Sequence, residues 1–132
     1  MKNTLLALFG AVIIGSCALY AATAKPTPVE VWTGGDDGLT QRLRDKIENK
    51  FKSSPAFVLS TGKKPGSLIV TIPTHVAWTQ KGARIHVRYK VEFSSSSDIA
   101  IGKGSGSCWD DNLADCAAQI YDGAEGAAHK LH

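Results

Sequence analysis

The sequence predicts an α+β fold: a mainly antiparallel five-stranded sheet with two helices packed on one face, in the order β-α-β-β-β-β-α. Three patterns carry that prediction. Arg84 to Phe93 alternates strictly, with Ile85, Val87, Tyr89, Val91 and Phe93 set against Arg84, His86, Arg88, Lys90 and Glu92. Such alternation marks an antiparallel strand with one face in the core and one in water. Leu39, Leu43, Ile47 and Phe51 recur at every fourth position, which makes one apolar stripe on a helix. A second stripe near the carboxyl end comprises Leu113, Ala117, Ile120, Tyr121, Ala124, Ala128 and Leu131. Two one-faced helices and one-faced strands are most simply buried as two layers.

Each element follows in order. Val29-Glu30-Val31-Trp32 alternates as a short first strand. Thr33 to Gly38 is a Gly/Asp turn whose aspartates can cap the helix that follows. That helix runs from Leu39 to Lys52 and stops at Ser53-Ser54-Pro55. Ala56 to Ser60 is a second strand, followed by the turn Gly62 to Gly66. Leu68 to Trp78 reads as a long third strand with Leu68, Val70, Ile72, Val76 and Trp78 toward the core. Pro73 has no amide to donate, so an edge or a bulge is expected there. Thr79 to Gly82 turns the chain into the fourth strand, Arg84 to Phe93. Ser94 to Asp98 is a polar loop, and Ile99 to Trp109 is a Gly-rich fifth strand. The last helix spans Asp111 to Lys130. Gly123 and Gly126 weaken it by about 1 kcal/mol each relative to alanine, unless they serve close approach to the sheet.

The amino terminus sets the compartment. Met1-Lys2-Asn3, an apolar run from Leu5 to Ile14 and the small residues Ala22-Thr23-Ala24 read as a secretory signal peptide over residues 1–24. Residues 25–28 then form a short linker, and 29–132 one globular domain. Ile14-Gly15-Ser16-Cys17 is a competing lipobox-like site, in which Cys17 would carry a lipid. Leu5 to Ala24 is also nearly long enough to cross a bilayer, but Gly10, Gly15 and the Ala-rich tail favour cleavage. The expected location is the periplasm or the exterior, with membrane anchoring only through lipid on Cys17.

Export leaves Cys108 and Cys116 as two thiols in an oxidising compartment, and one intramolecular disulfide is predicted. Their spacing of eight residues matches no familiar zinc-ligand pair. A bridge there would tie the fifth strand to the last helix. Asp110, Asp111 and Asp115 would then sit favourably at the positive end of the helix dipole. They lack the ligand spacing of a calcium loop.

Net charge is +3, but its distribution is uneven. Lys25 to Lys90 holds twelve Lys/Arg against five Asp/Glu, whereas Val91 to His132 holds two against seven. A nucleic-acid binder would be more uniformly basic, and none is expected as partner. Gly102-Lys103-Gly104-Ser105-Gly106 does not have the residue order of a phosphate-binding loop or of a nucleophile elbow. His75 and His86 have no further ligands in view for a metal. No nucleophile-base pair stands out, so the expectation is a non-enzymatic domain without a cofactor. Trp109 reads as a core or lid residue.

The candidate binding face is the polar side of the fourth strand. Arg84, His86, Arg88 and Lys90 project together, and His75 and Ala77 join them if the third strand pairs alongside. This basic stripe suits an anionic partner, such as lipid headgroups, lipopolysaccharide or an acidic envelope protein. The same charges discourage edge aggregation. Two other readings are a secreted inhibitor of a protease or lysozyme, based on small size and a disulfide-tethered loop, and a small metal-dependent hydrolase.

The succession of a strand, a Gly/Asp turn, a helix ending in Phe51, a hairpin and a closing Ala-rich helix resembles small envelope domains. These are the amino-terminal domain of the Tol-system propeller protein, the lipoproteins related to the curli secretion channel, and the penicillin-binding-protein activators. The resemblance covers most of Val29 to Leu131 as a pattern of elements and carries over no functional residue. It implies a binding or scaffold role in the periplasm.

Overall fold

Asp37 begins the first helix by accepting hydrogen bonds from the amide of Thr40 (3.1 Å) and from Thr40 Oγ1 (2.7 Å). These contacts satisfy a donor that a helix start otherwise leaves unpaired. In this computed structural model, which describes residues 25–131, the helix is α1 (Gly38–Lys52). Its buried side is Thr40, Leu43, Ile47 and Phe51, as the four-residue spacing requires. Residues 1–24, which hold the expected leader and the lipobox-like Cys17, and His132 lie outside the described residues.

Among the described residues six strands accompany it, one more than expected. They are β1 (Thr27–Thr33), β2 (Phe57–Leu59), β3 (Leu68–Ile72), β4 (Ala77–Lys81), β5 (Arg84–Ser95) and β6 (Ala100–Trp109). A single 3-10 turn at Asp110–Asn112 leads into α2 (Leu113–His129). β1 takes in Thr27 and Pro28, assigned above to the linker. β1 runs parallel to β2 and β3, and every other pairing is antiparallel. β5 is the axis of the sheet, with β6 along one side and both β3 and β4 along the other.

The long third strand is thus a broken one. Thr71 pairs with Glu92 and Ala77 with Arg88, so five residues, Ile72 to Val76, stand opposite three, Tyr89 to Val91. The two extra residues leave the sheet at Pro73, where a ladder donor is missing. The detour is anchored from outside the strand pair. The Gly34 amide donates to the Ile72 carbonyl (2.7 Å), and the Val76 amide donates to Thr40 Oγ1 (3.0 Å). A Cβ on Gly34 would overlap the Pro73 carbonyl, and one on Gly35 would come within 2.8 Å of the His75 Cα. The Gly34-Gly35 pair is therefore what lets the detour lie flat against the turn before α1. The hairpin after it is tighter than expected. Thr79–Lys81 stay in β4, and only Gly82-Ala83 turn, with Gly82 at φ +64°.

Both helices cover one face of the sheet. Leu43, Ile47 and Phe51 from α1 and Ala117, Ile120 and Ala124 from α2 join Val31, Val70, Val87 and Val91 in one core. Phe51, Phe57 and Tyr121 close its end, with ring centroids 4.9–5.6 Å apart, a range in which aromatic pairs add to simple burial. Cys108 and Cys116 form a buried disulfide that joins β6 to α2. Gly106 leaves room beside it for the Tyr89 ring and the Gln119 side chain. The Gln119 amide donates to the Ser107 carbonyl (3.0 Å), and the Tyr89 hydroxyl donates to Gln119 Oε1 (3.0 Å). Gly123 allows the Phe93 ring to approach, whereas a side chain at Gly126 would meet open space. Trp78 corrects the reading of that strand. It points to the helical side but is 58% exposed, because β4 lies beyond the helical layer and all five of its residues are exposed.

Candidate binding face

Among the described residues no helix covers the opposite face of the sheet. Its residues follow from the registers, since paired residues on neighbouring strands project the same way. His86, Arg88, Lys90 and Glu92 of β5 are flanked by Trp109, Ser107, Ser105 and Lys103 of β6. On the other side they meet Thr79 and Ala77 of β4 and Thr71 of β3. Further along, Trp32 of β1 stands beside Thr71 and is 47% exposed.

The two halves of this face differ. Over β1 and β3, the segment after β2 folds back. The Lys63 amide donates to Glu30 Oε1 (2.8 Å), and Lys63 Nζ pairs with Asp98 (3.0 Å). This contact leaves Glu30 only 7% exposed, a carboxylate hydrogen-bonded rather than stranded. Over β4, β5 and β6 the face is open. It presents Lys81, Arg84, Arg88, Lys90 and Lys103, with the carboxylate of Glu92 among them and that of Asp111 against Arg84.

Four of the five predicted face residues meet at one place. His75, His86, Arg88 and Lys90 line a trough of about 580 Å³, together with Thr74, Ala77, Ser105 and Ser107. The trough lies where the β3–β4 detour leaves β5. His75 belongs to the detour rather than to a strand, and its Nδ1 is 3.9 Å from Asp37 Oδ1. Arg84, the fifth, is held elsewhere. Its guanidinium lies 4.2 Å from the centre of the Trp109 ring and bonds Asp111 Oδ1 at 3.0 Å. Trp109 is accordingly neither core nor lid: it is a half-buried platform beneath Arg84, with the His86 ring edge-on at 5.1 Å.

The serines and Lys103 were missed because β5 and β6 are out of simple step. Phe93 pairs with Gly102 but Ser94 with Ala100, a one-residue bulge. Counting outward from the loop therefore assigns β6 to the wrong face, since a one-residue slip exchanges the two sides. The alternation of glycine with Lys103, Ser105 and Ser107 was the available signal.

The disulfide-braced segment does not project as a free loop. Asp110 accepts the Ile85 amide (3.2 Å) on its carboxylate and Arg42 Nη2 (3.1 Å) on its carbonyl. Asp111 is paired with Arg84. Among the described residues no group of three or more His, Cys, Asp or Glu side chains is placed to hold a metal, and no helix is long and apolar enough to cross a membrane.

No family model matches the chain, and no curated protein matches it. Among solved structures it is similar to a minor lipoprotein from Acinetobacter baumannii, with 10% identity, a TM-score of 0.48, and coverage of 79% of this chain and 94% of that one.

Proposed function

We propose that this is an exported, envelope-associated, non-enzymatic domain that binds an anionic envelope component or an acidic envelope protein through the open β4-β5-β6 face. The observation that carries the reading is the asymmetry of the sheet. One face is covered by two helices, and half of the other is left open, where Lys81, Arg88, Lys90 and Lys103 stand against Glu92 while Arg84 is paired with Asp111. Charges on a solvated face do not hold the core together, and a field of one sign steers an oppositely charged partner. The leader pattern of residues 1–24, the buried Cys108–Cys116 bridge and the likeness in element order to periplasmic domains all favour an oxidising compartment.

Capture from envelope extract tests the surface. Wild type is expected to retain partners that a variant with Arg84, Arg88 and Lys90 all changed to Glu does not. Identical partner sets would remove this face from the reading. Processing is tested by the intact mass of the exported product. A chain beginning at Lys25 is expected, a diacylglyceryl mass on Cys17 would make it an anchored lipoprotein, and an uncut cytoplasmic chain would overturn export.

A further inference from the structure

The break between β3 and β4 exposes something that a continuous strand would hide. Lys81 and Arg84 flank the two-residue turn, so they form a hydrogen-bonded pair. Counting along β5, the main-chain groups of Arg84, His86, Arg88, Lys90, Glu92 and Ser94 face the β4 and β3 side. Those of the odd-numbered residues face β6. Two contacts agree with this count: the Ile85 amide turns to Asp110 at the β6 end, and the Ser107 carbonyl turns outward to Gln119. Arg88 is matched by Ala77 and Glu92 by Thr71. Lys90 falls in the gap, and neither strand offers it a partner. A straight β3 would have set Pro73 opposite Lys90, but Pro73 has no amide to donate and its carbonyl lies against Gly34 instead.

The Lys90 amide is thus open to the trough described above, with the Lys90 carbonyl, an acceptor, on the same strand edge. Around it stand the Arg88 guanidinium, the Lys90 ammonium, the imidazoles of His75 and His86, and the hydroxyls of Ser105 and Ser107. Among the described residues no carboxylate lines the trough. Carboxylates in the surroundings are Asp37, 3.9 Å from His75 Nδ1, Glu92, one place along the open face, and Asp115, whose charge acts on Tyr89 at the trough wall. The donors differ in kind and come from three separate stretches of chain, which suits an oxyanion with several acceptor oxygens better than a planar carboxylate met by a single fork. The trough is also larger than the anion alone would need and lies within the usual range of small-ligand sites.

We infer that the gap at Lys90 is a binding site for a phosphate monoester carried on a sugar-sized group, with Arg88 and the Lys90 amide as its principal donors. This rests on, and sharpens, the reading of the open face as an anion-binding surface.

The test is a titration of the 15N-labelled protein, expressed as the full chain, with a hexose 6-phosphate, inorganic phosphate and the unphosphorylated hexose. Vesicles with and without phosphatidic acid form a separate arm. The expected result is saturable movement of the Lys90, Ser105 and Ser107 amides with both soluble phosphates, tighter for the hexose phosphate, and none with the free hexose. Arg88→Gln should weaken binding by about tenfold or more, while Lys46→Gln on the outer side of α1 leaves it unchanged. Arg88 is exposed, so the variant's spectrum should otherwise match wild type. Vesicle binding that also depends on phosphatidic acid and on Arg88 would identify a lipid headgroup as a source of the same phosphate. The inference is overturned if neither soluble phosphate binds more tightly than about 10 mM, if the movements spread evenly over surface lysines, or if Arg88→Gln has no effect. If those results come while envelope capture still depends on Arg84, Arg88 and Lys90, only this inference falls. If capture is also indifferent, the broader reading falls with it.

Discussion

Thr40 is fully buried and ties two parts of the chain together. Its hydroxyl donates to Asp37 and accepts from the Val76 amide, so the helix cap and the strand break share one side chain. The Asp37 carboxyl is held below its ordinary value of 3.8, chiefly by the Thr40 hydroxyl, with partial burial opposing and the Thr40 amide and His75 assisting. A depressed carboxyl stabilises the fold above its unfolded value, and the contribution is lost as pH falls through the folded one. Asp37→Ala should therefore cost about 1 kcal/mol at neutral pH, and the difference from wild type should shrink below pH 3.8. Urea unfolding of both proteins at neutral pH and at about pH 3 checks this. The capping role of the aspartate was legible, because a helix start is local. The partner of Thr40 lies 36 residues away and was not.

Elements were legible to the degree that their signals are periodic. β5 and α1 were found almost to the residue, because alternation and four-residue spacing are properties of consecutive side chains. The strand with Pro73 was read as interrupted, but its two halves were not told apart, and Trp78 was assigned to the core. Whether a strand side is buried depends on where the helices end, and no residue within the strand records that. The disulfide was inferred from compartment and count, and it now has a definite role. It fastens α2 to the edge strand β6, which is paired on one side only by β5. Reduction should lower unfolding stability by about 2–3 kcal/mol in the chain-entropy account, read as a shift of the urea midpoint with and without reductant. The oxidised protein should yield no free thiol from Cys108 or Cys116 after denaturation. Two thiols would exclude the brace.

For the molecule as a whole, the informative quantity is the arrangement of charge rather than its sum. The basic first half of the chain and the acidic last stretch fold onto one another, so that Asp111 neutralises Arg84 while Arg88 and Lys90 are left unopposed. Partner capture should therefore depend on ionic strength and weaken markedly between about 0.05 and 0.3 M salt, as the screening length shortens. Capture insensitive to salt would point to an apolar contact instead, with exposed Trp32 or Trp78 as the place to look.

Composition, periodicity and the two late cysteines were enough to determine a two-layer α+β domain, one wet sheet face and one covalent brace, because each follows from side chains close together in the chain. The trough, the open main chain at Lys90, the diversion of Arg84 to Trp109 and the serines beside Arg88 were decided only by the tertiary structure. They depend on a two-residue detour and a one-residue bulge. A shift in register turns on contacts from distant segments, here Gly34 and Thr40 for the detour, and these become neighbours only when the chain folds.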